Sequence, residues 1–206
     1  MKIKIDISKN IIEQFAEQFD STIQSDVLNI IPQYGQGQVR AYYFPDDVEC
    51  FHIHFNMEVP IATHSYNPID SQWVLLNINL SKKSIEKTVN TEKINLQKYL
   101  PSGLLFYNPG INVESKSPPG EDFEVLLIRI PKDFSRKYQD SDIEALNNSQ
   151  NAIIYEDLDY QLEKHVENIL ESVANKMMAH AVLIQFLALF YNKLKQRDQE
   201  QNFENL

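Results

Sequence analysis

The chain has one cysteine, Cys50, so it cannot build an internal disulfide framework. That usage suits a reducing compartment and excludes the small secreted folds held together by disulfides. Basic residues are also short: 19 Lys and Arg stand against 29 Asp and Glu, a formal charge of -10. Phosphate binding wants a basic face, so this chain is not expected to hold DNA or RNA by itself. A polybasic membrane-surface role is excluded on the same ground. Long apolar runs are missing as well. Ala181 to Tyr191 comes nearest, is interrupted by Gln185, and falls short of the roughly 20 residues a bilayer span requires. The opening MKIKIDISKN interleaves charges with isoleucines and offers no signal-peptide core. The expectation is a cytoplasmic, soluble protein with no membrane partner.

Glycine and proline are few, five and nine, and their placement divides the chain. All lie between Pro32 and Pro131, and none follows. These residues punctuate strands and turns and are kept out of helix interiors. A β-rich unit over residues 1–155 followed by a helical segment over 156–206 is the expectation.

Several central runs read as strands: Gln38 to Phe44, Val48 to Asn56, Gln72 to Leu80, and shorter pieces over Val59 to Tyr66, Ile94 to Gln97 and Ala152 to Tyr155. In Val48 to Asn56, Phe51, Ile53 and Phe55 alternate with Cys50, His52 and His54, which is strand periodicity. Gly103 to Pro131 carries an Asn108-Pro109-Gly110 reversal and ends in the apolar run FEVLLIRIP. Many short strands with turn signals between them suggest a closed or two-layer β unit. Gly35 and Gly37 read as a turn before a strand. Before these, Lys2 to Ile7 can be a strand, and Ser8 can cap a helix carrying Ile11, Ile12, Phe15 and Phe19 on one face. Asp140 to Asn151 is polar and reads as a loop.

After Glu156, Leu158, Leu162, Val166, Ile169 and Leu170 recur at helical spacing from Asp157 to Val173. Asn175 can cap a second helix from Lys176 to about Arg197, with a polar, patternless tail beyond. That helix is apolar nearly all round, so it must be buried on more than one side. The first helix and the barrel cover part of it, and a second copy of the chain can cover the rest. A homodimer through these helices is therefore expected.

Chemistry-bearing motifs are sparse. No nucleophile elbow, phosphate loop or HExxH is present, and no cofactor is implied. His52 and His54 share one face of a strand, with Cα atoms about 7 Å apart, and Glu58 has the same parity. Two imidazoles and a carboxylate can bind a divalent metal, which would make the chain a metal-dependent enzyme of the cupin type; His64 is a possible extra ligand. The pattern matches the first half of the cupin metal motif. In the second half Val113 stands where a histidine is expected. The competing reading turns Phe51, Ile53 and Phe55 inward and leaves both histidines facing water. A ligand pocket has broader support, since Arg40, Tyr42, His52, His54 and Trp73 place polar and aromatic groups on the barrel strands.

Taken in order, GQGQVRAYYFPDDVECFHIHF, QWVLLNINL, GLLFYNPGINVESKSPPGEDFEVLLIRIPKDF, AIIYEDLDYQLEKHVENIL and NKMMAHAVLIQFLALFYNKLKQR resemble the N-terminal sensor half of AraC/XylS-type transcriptional regulators. The resemblance implies an α+β fold: a cupin-like antiparallel β-barrel, or double-stranded β-helix, followed by an antiparallel helix pair. It also implies a small-molecule effector in the barrel and dimerisation through the helices. The pair of helix-turn-helix motifs that reads DNA in that family has no counterpart in these residues, so DNA would be reached only through a domain outside this chain.

Overall fold

The structure, a computed structural model, describes residues 1–96, 103–149 and 151–204. In chain order the elements are β1 (Lys2–Asp6), α1 (Ile11–Phe19), β2 (Ile23–Gln24), β3 (Val27–Asn29), β4 (Gly35–Tyr43), β5 (Glu49–Met57), β6 (Ile61–Tyr66), β7 (Trp73–Asn79) and β8 (Ile85–Val89). There follow β9 (Glu92–Leu96), β10 (Leu104–Tyr107), β11 (Asn112–Ser117), β12 (Asp122–Pro131), α2 (Ser141–Asn148), β13 (Ile153–Glu156), α3 (Tyr160–Glu171) and α4 (Lys176–Glu204). Gln97, at the end of one expected strand, lies outside the described residues.

Two sheets face each other. The smaller runs β1-β6-β11-β8-β9 and the larger runs β13-β10-β7-β12-β5-β4-β3-β2. Among the described residues every pairing is antiparallel except β1 with β6. Their facing sides, together with α1, enclose one apolar core that includes Ile3, Phe15, Phe51, Phe55, Val113 and Leu127. The outer side of the larger sheet is covered by α3 and α4 and forms a second core around Leu76, Phe106, Ile128, Phe186 and Phe190. The fold is thus α+β, a cupin-like barrel backed by a helix pair.

Between β5 and β7 lies β12, with Phe123, Val125 and Leu127 in the barrel and Leu126, Ile128 and Ile130 under the helices. A strand covered on both faces reads as a continuous apolar run instead of an alternation, which is why VLLIRI contains so little polar sequence. Gly35 and Gly37 belong to β4 itself and not to a preceding turn. Both have positive φ, and a Cβ at Gly37 would collide with the backbone carbonyl of His54 on β5. Glycine permits this close approach of two backbones.

Helix starts follow side-chain caps. Asn10, not Ser8, caps α1: its Oδ1 accepts the Glu13 N–H at 3.4 Å, while the Ser8 hydroxyl donates to Asp6 Oδ1 at 2.6 Å. Asp159 Oδ1 accepts the Leu162 N–H at 3.0 Å and sets the start of α3, later than the apolar pattern alone indicated. Asn175 Oδ1 accepts the Met178 N–H at 3.2 Å and caps α4 as expected. The polar stretch after Asp140 is the helix α2 and not a loop, because the Asp140 carboxylate accepts the Ile143 N–H at 3.2 Å. The tail is not patternless either: α4 continues to Glu204.

Over residues 176–197 α4 is long and apolar enough, by length and composition, to cross a bilayer. Here Leu183, Phe186, Leu187, Phe190 and Leu194 are buried against the larger sheet and α3. Each such side chain contributes roughly 1.5–3 kcal/mol on burial, so the sheet–helix contact is a substantial part of the fold's stability.

Candidate functional site

The strand β8 reads Ile85-Glu86-Lys87-Thr88-Val89, and its burial alternates with Ile85, Lys87 and Val89 inward. A lysine therefore occupies a core position. Lys87 is 2% exposed, and its Nζ donates to Asn77 Oδ1 on β7 at 2.7 Å across the barrel. Burial alone pushes its pKa down to about 7, because an ammonium ion is poorly solvated in an apolar interior. Beside it on β11 is Ser115, which in turn pairs in register with Thr63 on β6.

These side chains border an internal cavity of ≈ 40 Å³. Its polar lining consists of Lys87, Asn77, Tyr107, Ser115, Thr63 and Ser65, and its remaining walls are aliphatic and aromatic. Tyr107 is buried, and its phenol pKa is raised by that burial, so it remains a neutral O–H at physiological pH. A few convergent polar groups in an apolar enclosure are the general form of a small-molecule site.

The residues singled out from sequence lie elsewhere. Arg40, Tyr42, His52 and His54 are on the outer side of the larger sheet and do not line the barrel interior: they share the parity of Cys50, which packs beneath the helices. The physical reason is that Phe51, Ile53 and Phe55 take the barrel face, leaving their neighbours outward. Arg40 and Tyr42 line an open surface cleft of ≈ 340 Å³ beside the start of α4. His52 Nε2 and Glu124 Oε1 are 2.8 Å apart, as are His54 Nε2 and Asp122 Oδ1. Trp73 is on the opposite face, packed against the barrel core, with the Arg129 guanidinium 4.2 Å from its ring centre.

Glu58 follows the end of β5 and is exposed, and His64 is on the other sheet. Among the described residues no group of three or more His, Cys, Asp or Glu side chains could hold a metal ion. The metal-ligand set His52, His54 and Glu58 therefore does not converge. Val113, at the position where the motif calls for histidine, lines the cavity as a plain aliphatic wall. Cys50 is fully buried, and burial raises its thiol pKa, so it has little thiolate with which to act as a nucleophile.

Sequence reading missed Lys87, Asn77 and Ser115. The signal available was parity: IEKTV puts lysine in phase with Ile85 and Val89, an unusual place for a charge in a strand with one buried face.

Three cupin domains illustrate the likeness to solved structures. The Schizosaccharomyces pombe Cnp3 cupin domain matches over 57% of this chain and 74% of its own, at 12% identity and a TM-score of 0.35. The cupin domain of an XRE-family transcriptional regulator from Enterobacter cloacae matches over 45% and 93%, at 14% identity and 0.35. A cupin domain from Bordetella pertussis matches over 47% and 95%, at 11% identity and 0.34. No family model matches the chain, and no curated protein matches it in sequence.

Proposed function

We propose that the chain is the ligand-sensing and dimerisation module of an AraC-type transcription regulator. It is a soluble, cytoplasmic protein that binds a small effector inside the barrel. The bound state is passed to a DNA-binding domain outside this chain through the helix pair.

One observation carries the reading: adjacent residues on β10 and β7 face the cavity and the helices. Tyr107 lines the cavity, while its neighbour Phe106 packs on α4, with ring centres 6.0 Å from Phe190 and 6.4 Å from Tyr191. Asn77 meets Lys87, while Leu76 and Ile78 lie in the helix-covered core. Next along the chain, Asn108 Nδ2 donates to the Leu146 carbonyl at 2.7 Å and the Ser149 carbonyl at 2.6 Å, tying β10 to α2. A guest that reorders the cavity side chains therefore acts on strands that form the floor of the helix layer. A conformational change requires this differential contact between two states.

Along α4, Met177 is 79% and Met178 52% exposed, and Ala181, Gln185 and Ala188 are exposed on the turns that follow. This is the face available to a second copy of the chain.

The test is a thermal-shift screen of small acids, sugars and amines, followed by hydrogen exchange on any stabilising compound. A barrel ligand should slow exchange in β7 and β10 and alter it in α4. A compound that stabilises the barrel but leaves α4 exchange unchanged would remove the signalling role.

A further inference from the structure

Building on that reading, we infer that the barrel cavity is a site for a small monocarboxylate, held by Lys87 and the surrounding hydroxyls. Size comes first. The cavity of ≈ 40 Å³, set against roughly 10–15 Å³ for one water, suits a guest of the size of formate or acetate.

Charge comes second. The charged residues on the strands of the smaller sheet point away from the cavity at alternate positions: Lys2, Lys4 and Asp6 on β1, His64 on β6, Glu86 on β8, Lys93 on β9, and Glu114 and Lys116 on β11. On the larger sheet Arg40, His52, His54, Asp122 and Glu124 are likewise outward. Glu13 and Glu17 on α1 and Glu92 on β9 are exposed. Of the inward titratable groups, Tyr107 is in the cavity, Tyr155 and Tyr43 are only partly buried, and Glu49 is paired with Arg129. Among the described residues no carboxylate lines the cavity, so the counter-ion for a charged Lys87 comes from a guest.

Donors come third. Nζ has three N–H groups when charged, and among the described residues one is taken by Asn77. The others, with the hydroxyls of Ser115, Thr63, Ser65 and Tyr107, can meet the four acceptor positions of a carboxylate. A buried charge is tolerated when it is paired and hydrogen-bonded.

Proton linkage follows. With its pKa near 7 in the empty barrel, Lys87 takes up a proton as the anion binds. Affinity should fall towards tenfold for each pH unit once pH is well above 7, so about 30-fold between pH 6 and pH 8.5.

The experiment is isothermal titration of the full chain with formate and acetate, and with formamide and acetamide as neutral counterparts of the same shape, at pH 6 and pH 8.5. Lys87→Met removes the charge while keeping the length, and Lys87→Arg keeps the charge; circular dichroism and a melting curve establish that each variant folds. The inference predicts binding of the acids, at least tenfold weaker binding of the amides, the stated loss at pH 8.5, and no binding to Lys87→Met. Equal binding of amides and acids would overturn the carboxylate assignment while leaving a ligand-binding barrel in place. Undiminished acid binding by Lys87→Met, or no acid binding at all, would also overturn it. Acid binding at Lys87 without any response in α4 would instead sink the sensor reading and leave the site standing.

Discussion

Replacing Lys87 by methionine should stabilise the protein, and the gain should depend on pH. In the unfolded chain the amine titrates near 10.5, whereas in the folded barrel burial brings it to about 7. Between these values the unfolded state binds a proton that the folded state lacks, so stability of the natural chain rises as pH increases from 7 to 10.5. Below 7 both states are charged and the full penalty is present. The separation of the two values corresponds to a ceiling of about 5 kcal/mol at 1.36 kcal/mol for each tenfold. Lys87→Met also leaves Asn77 without its 2.7 Å partner, a loss of roughly 1–3 kcal/mol. The net expectation is a gain of roughly 2–4 kcal/mol at pH 6 that shrinks towards zero or below by pH 10. Urea unfolding at pH 6, 8 and 10 measures it. A gain that is the same at all three pH values, or a variant less stable at pH 6, would refute the argument from a buried, shifted lysine.

Arg129 is buried, pairs with Glu49, and its Nη1 donates to the Ile7 carbonyl at 2.7 Å and the Lys9 carbonyl at 2.6 Å. Arg129→Met should cost about 3–5 kcal/mol by leaving Glu49 buried and unpaired. The loss should shrink in acid as Glu49 takes a proton, and hydrogen exchange should show β1 loosened first. Asn108→Ala should cost roughly 1–3 kcal/mol, since it removes the Nδ2 donor shared by the Leu146 and Ser149 carbonyls and takes from the Ser149 carbonyl its 2.6 Å partner, while Leu146 keeps the Ser149 hydroxyl; a urea midpoint unchanged within error would contradict this. Ala188→Arg places a charge on the exposed face of α4, beside a groove formed with Phe134, Tyr138 and Ile184. Light scattering should show it monomeric with an unaltered melting curve for the monomer, against a dimer for the natural chain.

Much of the fold was legible because the periodicities were strong. The Phe51-Ile53-Phe55 alternation fixed the faces of β5, and the confinement of glycine and proline before Pro131 separated the sheets from the helix pair. Failures came where a single side chain decides the outcome. The Asp140 cap makes a helix from a stretch whose composition reads as loop, and Asn10 outcompetes Ser8 because its carboxamide reaches the Glu13 N–H. Only two and three residues long, β2 and β3 are too short to show a period. The sequence candidates fall outside the barrel cavity for a related reason. Polar and aromatic residues on barrel strands attract attention, yet in a sheet covered on both sides the parity of each residue decides whether it meets the cavity or the outer surface. Arg40, Tyr42, His52 and His54 share the outward parity, whereas Lys87 has the inward one and was hidden among the other charges of SKKSIEKTVN.

The central claim is that the interior around Lys87 is the ligand site and that it communicates with the helix pair. The most direct measurement is a two-dimensional amide NMR titration of the full chain with sodium formate at pH 6. The account predicts saturable shifts at Asn77, Lys87, Tyr107 and Ser115, accompanied by Phe106 and Phe190 across the sheet. Shifts confined to the outer cleft at Arg40 and Tyr42, with β8 unmoved, would contradict it.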